Sequence, residues 1–348
     1  MPGQQPSVSG ALLPPLIVIV GPTAVGKTST AVRLCADFQG EIVSADSRQI
    51  YRGLDIGAAK PTLQEQAAAV HHLIDVVDPH QVLGLAEYQK MSYAAIDEVL
   101  SRSRVPFLVG GTGQWVRAVL EGWGVPRVPP DDALRAELEA EAERAGSRAL
   151  HARLAAVDPA AAARIDHRNL RRVIRALEVY LNTGLPISQQ QRAQPPPYRI
   201  LQIGLTMPRH MLYARVDARL ERMLEEGLLA EVRALVERGY GLNLPAMSGL
   251  GYRQIGLHLA GQISLDEAVQ LIKKETRRFI RQQYNWFRLD DPAIHWFDLS
   301  GEYYDALCQP VRELLAEGES VRPLADPGAR SASKGHPDTN PAGAGGGE

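Results

Sequence analysis

The chain has 348 residues, of which 45% are hydrophobic and 22% charged. This composition excludes disorder throughout the chain, and at about 150 residues per domain the length predicts roughly two domains. No apolar run reaches the about 18 residues of a membrane-spanning helix, so we expect no membrane association. The only two cysteines, Cys35 and Cys308, exclude a disulfide framework and a cysteine-rich zinc site and favour the reducing cytoplasm.

Apolar segments and helical patterns alternate along the first third of the chain, as in an α/β fold with a mostly parallel sheet flanked by helices. Strands are predicted at 16–20, 41–45, 72–77, 105–109 and 199–205, and long helices at about 209–238 and 264–289. Residues 127–197 show an Ala-, Arg- and Glu-rich helical pattern between proline-rich ends, which indicates an all-helical insertion domain. The sheet core would comprise 14–126 and 198–320, and residues 1–13 and 321–348 are predicted to be disordered.

A glycine-rich loop follows the first predicted strand and matches the pattern GxxxxGK(S/T). The matching residues are Gly21, Pro22, Thr23, Ala24, Val25, Gly26, Lys27 and Thr28. Strand before and helix after are the context in which such a loop binds phosphate, because its backbone N–H groups and the helix N-terminus converge on the anion. The sequence therefore predicts a P-loop core with a di- or triphosphate site, where the Thr28 hydroxyl could reach a phosphate oxygen or Mg²⁺.

The ends of two other predicted strands carry different chemistry. The strand at 105–109 is followed by Gly110-Gly111-Thr112-Gly113, which offers close backbone approach but no metal-orienting carboxylate. Asp46 follows the strand at 41–45, at the sheet edge where ligands bind in open α/β folds. A carboxylate there could accept a proton from a nucleophile. A helix-capping role for Asp46 is the alternative.

Basic residues are concentrated although the 38 basic and 40 acidic residues give a net charge of only -2. By itself that balance gives no reason to expect a nucleic-acid partner. Two runs nevertheless repeat at spacings of three and four: Arg164, His167, Arg168, Arg171, Arg172 and Arg175, and then Lys273, Lys274, Arg277, Arg278 and Arg281. Cations beside amides and aromatics suit RNA backbone contact and base stacking, whereas a solvated helix face is the alternative.

Together these motifs resemble the tRNA dimethylallyltransferase, or tRNA isopentenyltransferase, family. The resemblance rests on the P-loop and on segments in the family's order across about residues 15–315. These segments are ADSRQIYRGLDIG at 45–57, HHLID at 71–75, VGGTG at 109–113, RALEVY at 175–180, SGLGYR at 248–253 and RQQYNWFR at 281–288. The tail after Arg322 contains no cysteine and only His336, so the resemblance is to the compact bacterial type without a zinc finger.

The resemblance implies transfer of the dimethylallyl group from dimethylallyl diphosphate to the adenosine 3′-adjacent to the anticodon of a tRNA. Residues 21–28 and Arg219 would hold the diphosphate, with Mg²⁺ at Thr28. Asp46 would take the proton from the exocyclic amine, and Lys27, Thr28 and an arginine, Arg215 first and Arg219 second, would stabilise the leaving diphosphate. The residues that would contact the tRNA anticodon stem-loop are Asp46, Ser47, Arg48, Gln49, Thr112, Arg171, Arg172, Arg175, Ser248, Gly251, Tyr252, Arg253, Arg277 and Arg281.

Two other functions stay open from the residues alone. A small-molecule or nucleoside kinase also joins a P-loop to an aspartate after the second strand. An RNA-binding ATPase module would be expected to hydrolyse ATP, and the missing metal-orienting acid counts against it. The oligomeric state is open as well, a monomer included.

Overall fold

The computed structural model describes residues 12–319. The two segments predicted to be disordered, 1–13 and 321–348, lie outside this range except for residues 12 and 13. None of the described helices is both long and apolar enough to cross a membrane.

Within the described residues, six parallel strands form one sheet in the order β3-β2-β4-β1-β5-β6. The strands are β1 Pro15–Val20, β2 Gly40–Ser44, β3 His71–His72, β4 Val105–Val109, β5 Arg199–Thr206 and β6 Ile294–Asp298. The predicted parallel α/β sheet is confirmed. The strand predicted at 72–77 is wrong in extent: only its first residue is in β3, and Leu73 and Asp75 have positive φ, which ends regular pairing.

The helices are α1 Lys27–Phe38, α2 Leu63–Ala68, α3 Leu85–Ser101, α4 Gly113–Glu121, α5 Asp132–Ala145, α6 Ser147–Val157, α7 Pro159–Ala162, α8 Leu170–Thr183, α9 Ile187–Gln190, α10 Arg209–Glu225, α11 Leu228–Glu237, α12 Tyr252–Leu259, α13 Leu265–Trp286 and α14 Tyr304–Glu319, with a short 3₁₀ turn at Ala246–Ser248. The single helix predicted at 209–238 is therefore two helices. Gly227, at φ 105°, separates them, since this left-handed backbone cannot continue a helix.

The central strand β1 is buried on both faces. Leu16, Val18 and Val20 pack into the layer that contains α3 and α4, while Ile17 and Ile19 pack into the layer that contains α1 and α14. All five side chains are fully buried, as expected for a parallel strand covered by helices on both sides. This packing fixes the carboxyl end of β1, where the P-loop begins.

Helices α5 to α9 occupy the segment between β4 and β5 and have a core of their own, which includes Leu138, Leu154 and Leu177. The two chain segments that enter and leave this helical region are paired. Gly124 N–H donates to the carbonyl of Arg192 at 2.8 Å, and Gln194 N–H donates to that of Gly122 at 2.8 Å. The helical region is thus joined to the sheet core through two adjacent, hydrogen-bonded connections.

Candidate active site

The P-loop leaves β1 under a tight steric constraint. Gly21 has φ 146°, and a Cβ at this position would lie 2.4 Å from the carbonyl oxygen of Leu205 on β5. Only glycine fits such a close approach, so the loop can start beside the neighbouring strand. Gly26 caps α1 with a left-handed backbone, and Lys27 and Thr28 form the first residues of that helix. The loop therefore presents a helix N-terminus at the sheet edge, where an anion is stabilised.

The amine of Lys27 is held inside the loop. Its Nζ donates to the carbonyls of Gly21 at 3.0 Å and Pro22 at 2.9 Å. Burial lowers the pKa of Lys27 to about 8; Asp46 opposes this shift and Arg219 adds to it. A buried, mostly protonated amine beside the helix N-terminus is suited to binding a diphosphate.

Asp46 lies just beyond β2, as predicted. Its Oδ1 accepts the backbone N–H of Arg48 at 2.8 Å, which closes a local turn. Oδ2 accepts no hydrogen bond within residues 12–319. Asp46 lines a small cavity of about 40 Å³ together with Lys27, Thr28 and Gly110. The structure thus brings the proposed base and the phosphate loop to one place.

Thr112 connects the loop after β4 to the turn that contains Asp46. Its Oγ1 accepts the backbone N–H of Ser47 at 3.1 Å, and its own N–H donates to the carbonyl of Ala45 at 3.3 Å. Thr112 therefore contributes to the position of Asp46 through the backbone.

The two candidate arginines on α10 differ in where they act. Arg215 Nη1 donates to the carbonyl of Val25 at 3.0 Å, so it supports the P-loop. Arg219 is the arginine that interacts electrostatically with both Lys27 and Asp46, and burial lowers its pKa. Arg219 is therefore the candidate that interacts with both Lys27 and Asp46, whereas Arg215, the first choice from the sequence, is hydrogen-bonded to the backbone of the P-loop.

Gln283 on α13 is a site residue that the sequence reasoning missed. Its Oε1 accepts the N–H of Thr23 at 2.8 Å, and its Nε2 donates to the carbonyl of Gly111 at 3.1 Å. The side chain is 4% exposed, so these bonds are shielded from water. Gln283 ties the P-loop to the loop after β4. Gln283 lies within the RQQYNWFR segment, which was interpreted from the sequence only as a tRNA contact.

Arg48 and Gln49, which follow β2, hold the surrounding loops in place. Arg48 donates through Nη1 to the carbonyl of Pro245 at 2.6 Å and through Nη2 to Ser248 Oγ at 3.3 Å. Gln49 Nε2 donates to the carbonyl of Ala59 at 3.0 Å. These contacts place the predicted tRNA-binding segments 46–49 and 248–253 next to each other.

Within the segment 248–253, the residues differ in accessibility. Ser248 and Arg253 are exposed, whereas Gly251 is buried and Tyr252 is fully buried. Tyr252 donates to Glu231 Oε1 at 2.6 Å and accepts the N–H of Ala58 at 3.1 Å. The prediction of a direct tRNA contact by Tyr252 is therefore corrected: its ring fills the core and its hydroxyl is occupied.

The arginines of α8 also separate into two kinds. Arg171 and Arg172 are exposed and have no ion pair within residues 12–319. Arg175 instead is hydrogen-bonded to the buried Glu178 and donates to the carbonyl of Val128 at 3.0 Å. Arg175 is thus engaged in holding the start of the helical insertion.

On α13, the two predicted tRNA contacts have protein partners. Arg277 forms an ion pair with Asp217 at 2.7 Å and lies over the ring of Tyr213. Arg281 is exposed and donates to the Tyr213 hydroxyl at 3.4 Å, a long hydrogen bond that an RNA phosphate could replace. Of the two, Arg281 is the better placed for RNA.

No group of three or more His, Cys, Asp or Glu side chains in the described part of the chain is arranged to hold a metal ion by itself. The small cavity does combine the hydroxyls of Thr28 and Ser44, the Asp46 carboxylate and His71, whose buried Nε2 has no hydrogen-bond partner there. Hard oxygen donors beside a phosphate loop fit Mg²⁺, which keeps water ligands and binds with substrate phosphates.

The comparisons with known proteins point to one family. The family model described as IPP transferase matches residues 49–290. A protein of Roseiflexus sp. (strain RS-1) named tRNA dimethylallyltransferase is 58% identical over 274 residues, which are 79% of this chain and 90% of the relative. One of the same name from Dehalococcoides mccartyi is 48% identical over 306 residues, 88% of this chain and 94% of the relative.

Solved structures show the same fold. The tRNA isopentenylpyrophosphate transferase of Bacillus halodurans superposes with a TM-score of 0.64 at 40% identity, over 88% of this chain and 97% of that protein. A eukaryotic dimethylallyltransferase acting on tRNA, at 23% identity, shares the fold with a TM-score of 0.72 over 90% of this chain and 81% of that one. The chain therefore belongs to the IPP transferase family, whose curated relatives carry the name tRNA dimethylallyltransferase.

Proposed function

We propose that the protein transfers the dimethylallyl group of dimethylallyl diphosphate to the exocyclic amine of the adenosine 3′-adjacent to the anticodon in tRNA, and releases diphosphate. The observation that carries the proposal is the meeting of Lys27 and Thr28 of the P-loop with Asp46 around one cavity, beside a β4 end that supplies glycines instead of a metal-orienting acid. Arg219 interacts electrostatically with both Lys27 and Asp46. Such a site binds a diphosphate and removes a proton without the acid used for nucleotide hydrolysis.

The reaction divides between two groups of residues. The exocyclic nitrogen of adenine attacks the first allyl carbon, a new C–N bond forms, and the C–O bond breaks with its electron pair left on the diphosphate. Lys27, Arg219 and the N-terminus of α1 stabilise the charge that develops on this leaving group. Asp46 receives the proton from the nitrogen, as a general base must lie within hydrogen-bond reach of it.

Mg²⁺ is proposed as the cofactor. Thr28 would hold it together with the diphosphate oxygens, and Ser44 and Asp46 line the same cavity. When bound, it would neutralise negative charge on the leaving diphosphate. The protein's own residues orient the two substrates.

For the tRNA, we propose that exposed cations on α8 and α13, with the segments 46–49 and 248–253, contact the anticodon stem-loop. The target adenine has to leave its base stack before its amine can reach Asp46. Arg171, Arg172 and Arg281 are the exposed members of this set that would contact phosphates, and Arg253 adds a cation beside the segment held by Arg48.

The direct test is mass spectrometry of tRNA nucleosides after incubation of the protein with unmodified tRNA, dimethylallyl diphosphate and Mg²⁺. We expect an adenosine carrying one added five-carbon group at the position next to the anticodon. ATP with nucleosides serves as the parallel reaction, because a kinase of similar fold would phosphorylate them. Phosphorylation without prenyl transfer would replace the proposal by the kinase alternative.

A further inference from the structure

The proposed reaction gives no role to His71, which lies beside the small cavity next to Asp46. It is the first residue of β3, at the end of the sheet, and lines the cavity with Lys27, Thr28 and Asp46. Its neighbour His72 points to a different partner, since His72 Nε2 lies 2.7 Å from Glu41 Oε2. The HHLID segment therefore places one imidazole at the site and hydrogen-bonds the other to Glu41.

The hydrogen bonds of His71 define its chemistry. Nδ1 lies 2.8 Å from the carbonyl of Ala69, and because a carbonyl only accepts, this nitrogen carries the proton. In the neutral ring Nε2 is then an acceptor. It is buried and has no hydrogen-bond partner within residues 12–319. A buried acceptor without a partner is unfavourable, so a ligand or water that donates to it is expected.

The size and lining of the cavity identify the kind of donor. The cavity measures about 40 Å³, which is room for a few water molecules. Around it lie the hydroxyls of Thr28 and Ser44, the amide of Gln49 and the carboxylate of Asp46. At the end of β4, where a metal-orienting carboxylate would be expected in a hydrolytic P-loop protein, Gly110 provides none.

We propose that His71 is a positioning residue that accepts, through Nε2, a hydrogen bond from a water ligand of the Mg²⁺ bound at Thr28 with the diphosphate. This inference rests on the proposed function, which supplies the diphosphate and the metal. Metal-bound water is a strong donor, and partners outside the ligand shell commonly set the position and affinity of a metal. His71 would thus supply, from β3, an acceptor for the metal's water ligands, which the glycines after β4 do not provide.

The test is calorimetric titration of inorganic pyrophosphate into the full-length protein, first with EDTA and then at increasing Mg²⁺. His71→Asn can keep the donor to Ala69 through its amide nitrogen but has no acceptor at the Nε2 position. We expect unchanged affinity for pyrophosphate in EDTA and an about tenfold higher Mg²⁺ concentration for half-maximal enhancement, in line with the loss of an outer-shell partner. His71→Gln, whose longer amide can replace the acceptor, should restore most of the Mg²⁺ response.

His72→Asn is the matched control, and its Mg²⁺ dependence should equal that of the wild type. An unchanged Mg²⁺ dependence in His71→Asn, or an equal loss of affinity with and without metal, would overturn the proposal. Pulsed EPR with Mn²⁺ and pyrophosphate separates contact through water from direct ligation: a directly coordinated imidazole nitrogen would also overturn it. Because these measurements need neither tRNA nor an allyl group, their outcome is independent of the prenyl-transfer test. Wild-type protein that binds no pyrophosphate would instead contradict the proposed function.

Discussion

Only one carboxylate oxygen of Asp46 is hydrogen-bonded in its turn, and this determines which substitution tests its proposed role as a base. Oδ1 accepts the N–H of Arg48, so removal of the whole carboxylate by alanine would also disturb the turn. Asp46→Asn keeps an acceptor for that N–H and removes the base. We expect the single-turnover rate of prenyl transfer to fall by about 10²–10⁴-fold, the usual contribution of a positioned general base.

Binding of tRNA, measured by filter retention, should change little in Asp46→Asn, because the turn is preserved. Glu139→Gln, the same carboxylate-to-amide change at an exposed position on α5, provides the control. A single-turnover rate close to that of the wild type would show that another group accepts the proton.

We expect Lys27 to make the proposed diphosphate binding sensitive to pH. Its pKa of about 8 lies below the ordinary lysine value of 10.5 because the amine is buried. The protonated amine attracts the anion, so affinity should be full below pH 8 and should decrease as the pH rises through about 8. Calorimetry of pyrophosphate binding between pH 6.5 and about 9.5 would follow this change.

Lys27→Arg is the matched variant, since a guanidinium keeps its charge over that whole range. We expect its affinity to lose the decrease near pH 8. A decrease of the same size in Lys27→Arg would assign the titration to another group.

At the scale of elements, one buried carboxylate links two helices of the insertion. Glu178 on α8 is completely buried and accepts the Nε of Arg135 at 2.8 Å and the N–H of Asp131 at 2.9 Å. Arg175 forms a further ion pair with it. These partners lower the pKa of Glu178 although burial acts in the opposite direction. One side chain thus joins α8 to the start of α5.

Glu178→Gln should destabilise this region, because it leaves two arginines beside a neutral amide. We expect a loss of about 3 kcal/mol in the free energy of unfolding, at the lower end for breaking one partner of a buried pair. Urea denaturation followed by circular dichroism measures it. Glu139→Gln on α5 is the control, since Glu139 is exposed, and an equal stability of the two variants would contradict a special role for Glu178.

The pKa of Glu178 also predicts how stability depends on pH. A carboxylate whose pKa is lowered on folding stabilises the folded state above its unfolded pKa, and this contribution is lost as the pH falls through the folded value. The acid-induced loss of stability should therefore be smaller in Glu178→Gln than in the wild type.

Over the whole molecule, the net charge of -2 conceals how the basic residues are distributed. Arg171 and Arg172 are exposed on α8 without an ion pair in the described residues, whereas Arg277 is paired with Asp217. Neutralising Arg277 would therefore combine any effect on RNA binding with the loss of a partly buried ion pair. The unpaired arginines provide the cleaner test of an RNA surface.

For the double variant Arg171→Gln/Arg172→Gln, we expect weaker tRNA binding at low salt and a shallower salt dependence, by roughly one unit of slope for each phosphate that is no longer neutralised. Binding would be measured by fluorescence anisotropy over a series of KCl concentrations. Arg312→Gln, an exposed arginine on α14, should keep the wild-type slope. A wild-type slope in the double variant would show that Arg171 and Arg172 lie on a solvated helix face that does not bind RNA.

The sequence by itself determined the features that depend on local pattern. Residues 21–28 predicted the P-loop because its glycines and lysine act over one turn of chain, and continuous apolar runs predicted the buried parallel strands. The proline-rich ends of 127–197 marked the helical region. Asp46 was found because its position just after a strand fixes the sheet edge at which it lies.

Only the tertiary structure decided which side chains meet at the site. Gln283 contacts Thr23 across 260 residues, and no spacing in the sequence encodes such a contact. Arg215 and Arg219 lie one helical turn apart, so only the packing of α10 against the P-loop separates their roles. Packing likewise buried Tyr252 and left the Nε2 of His71 without a partner in the described chain, because burial depends on neighbours that fold in from distant parts of the sequence.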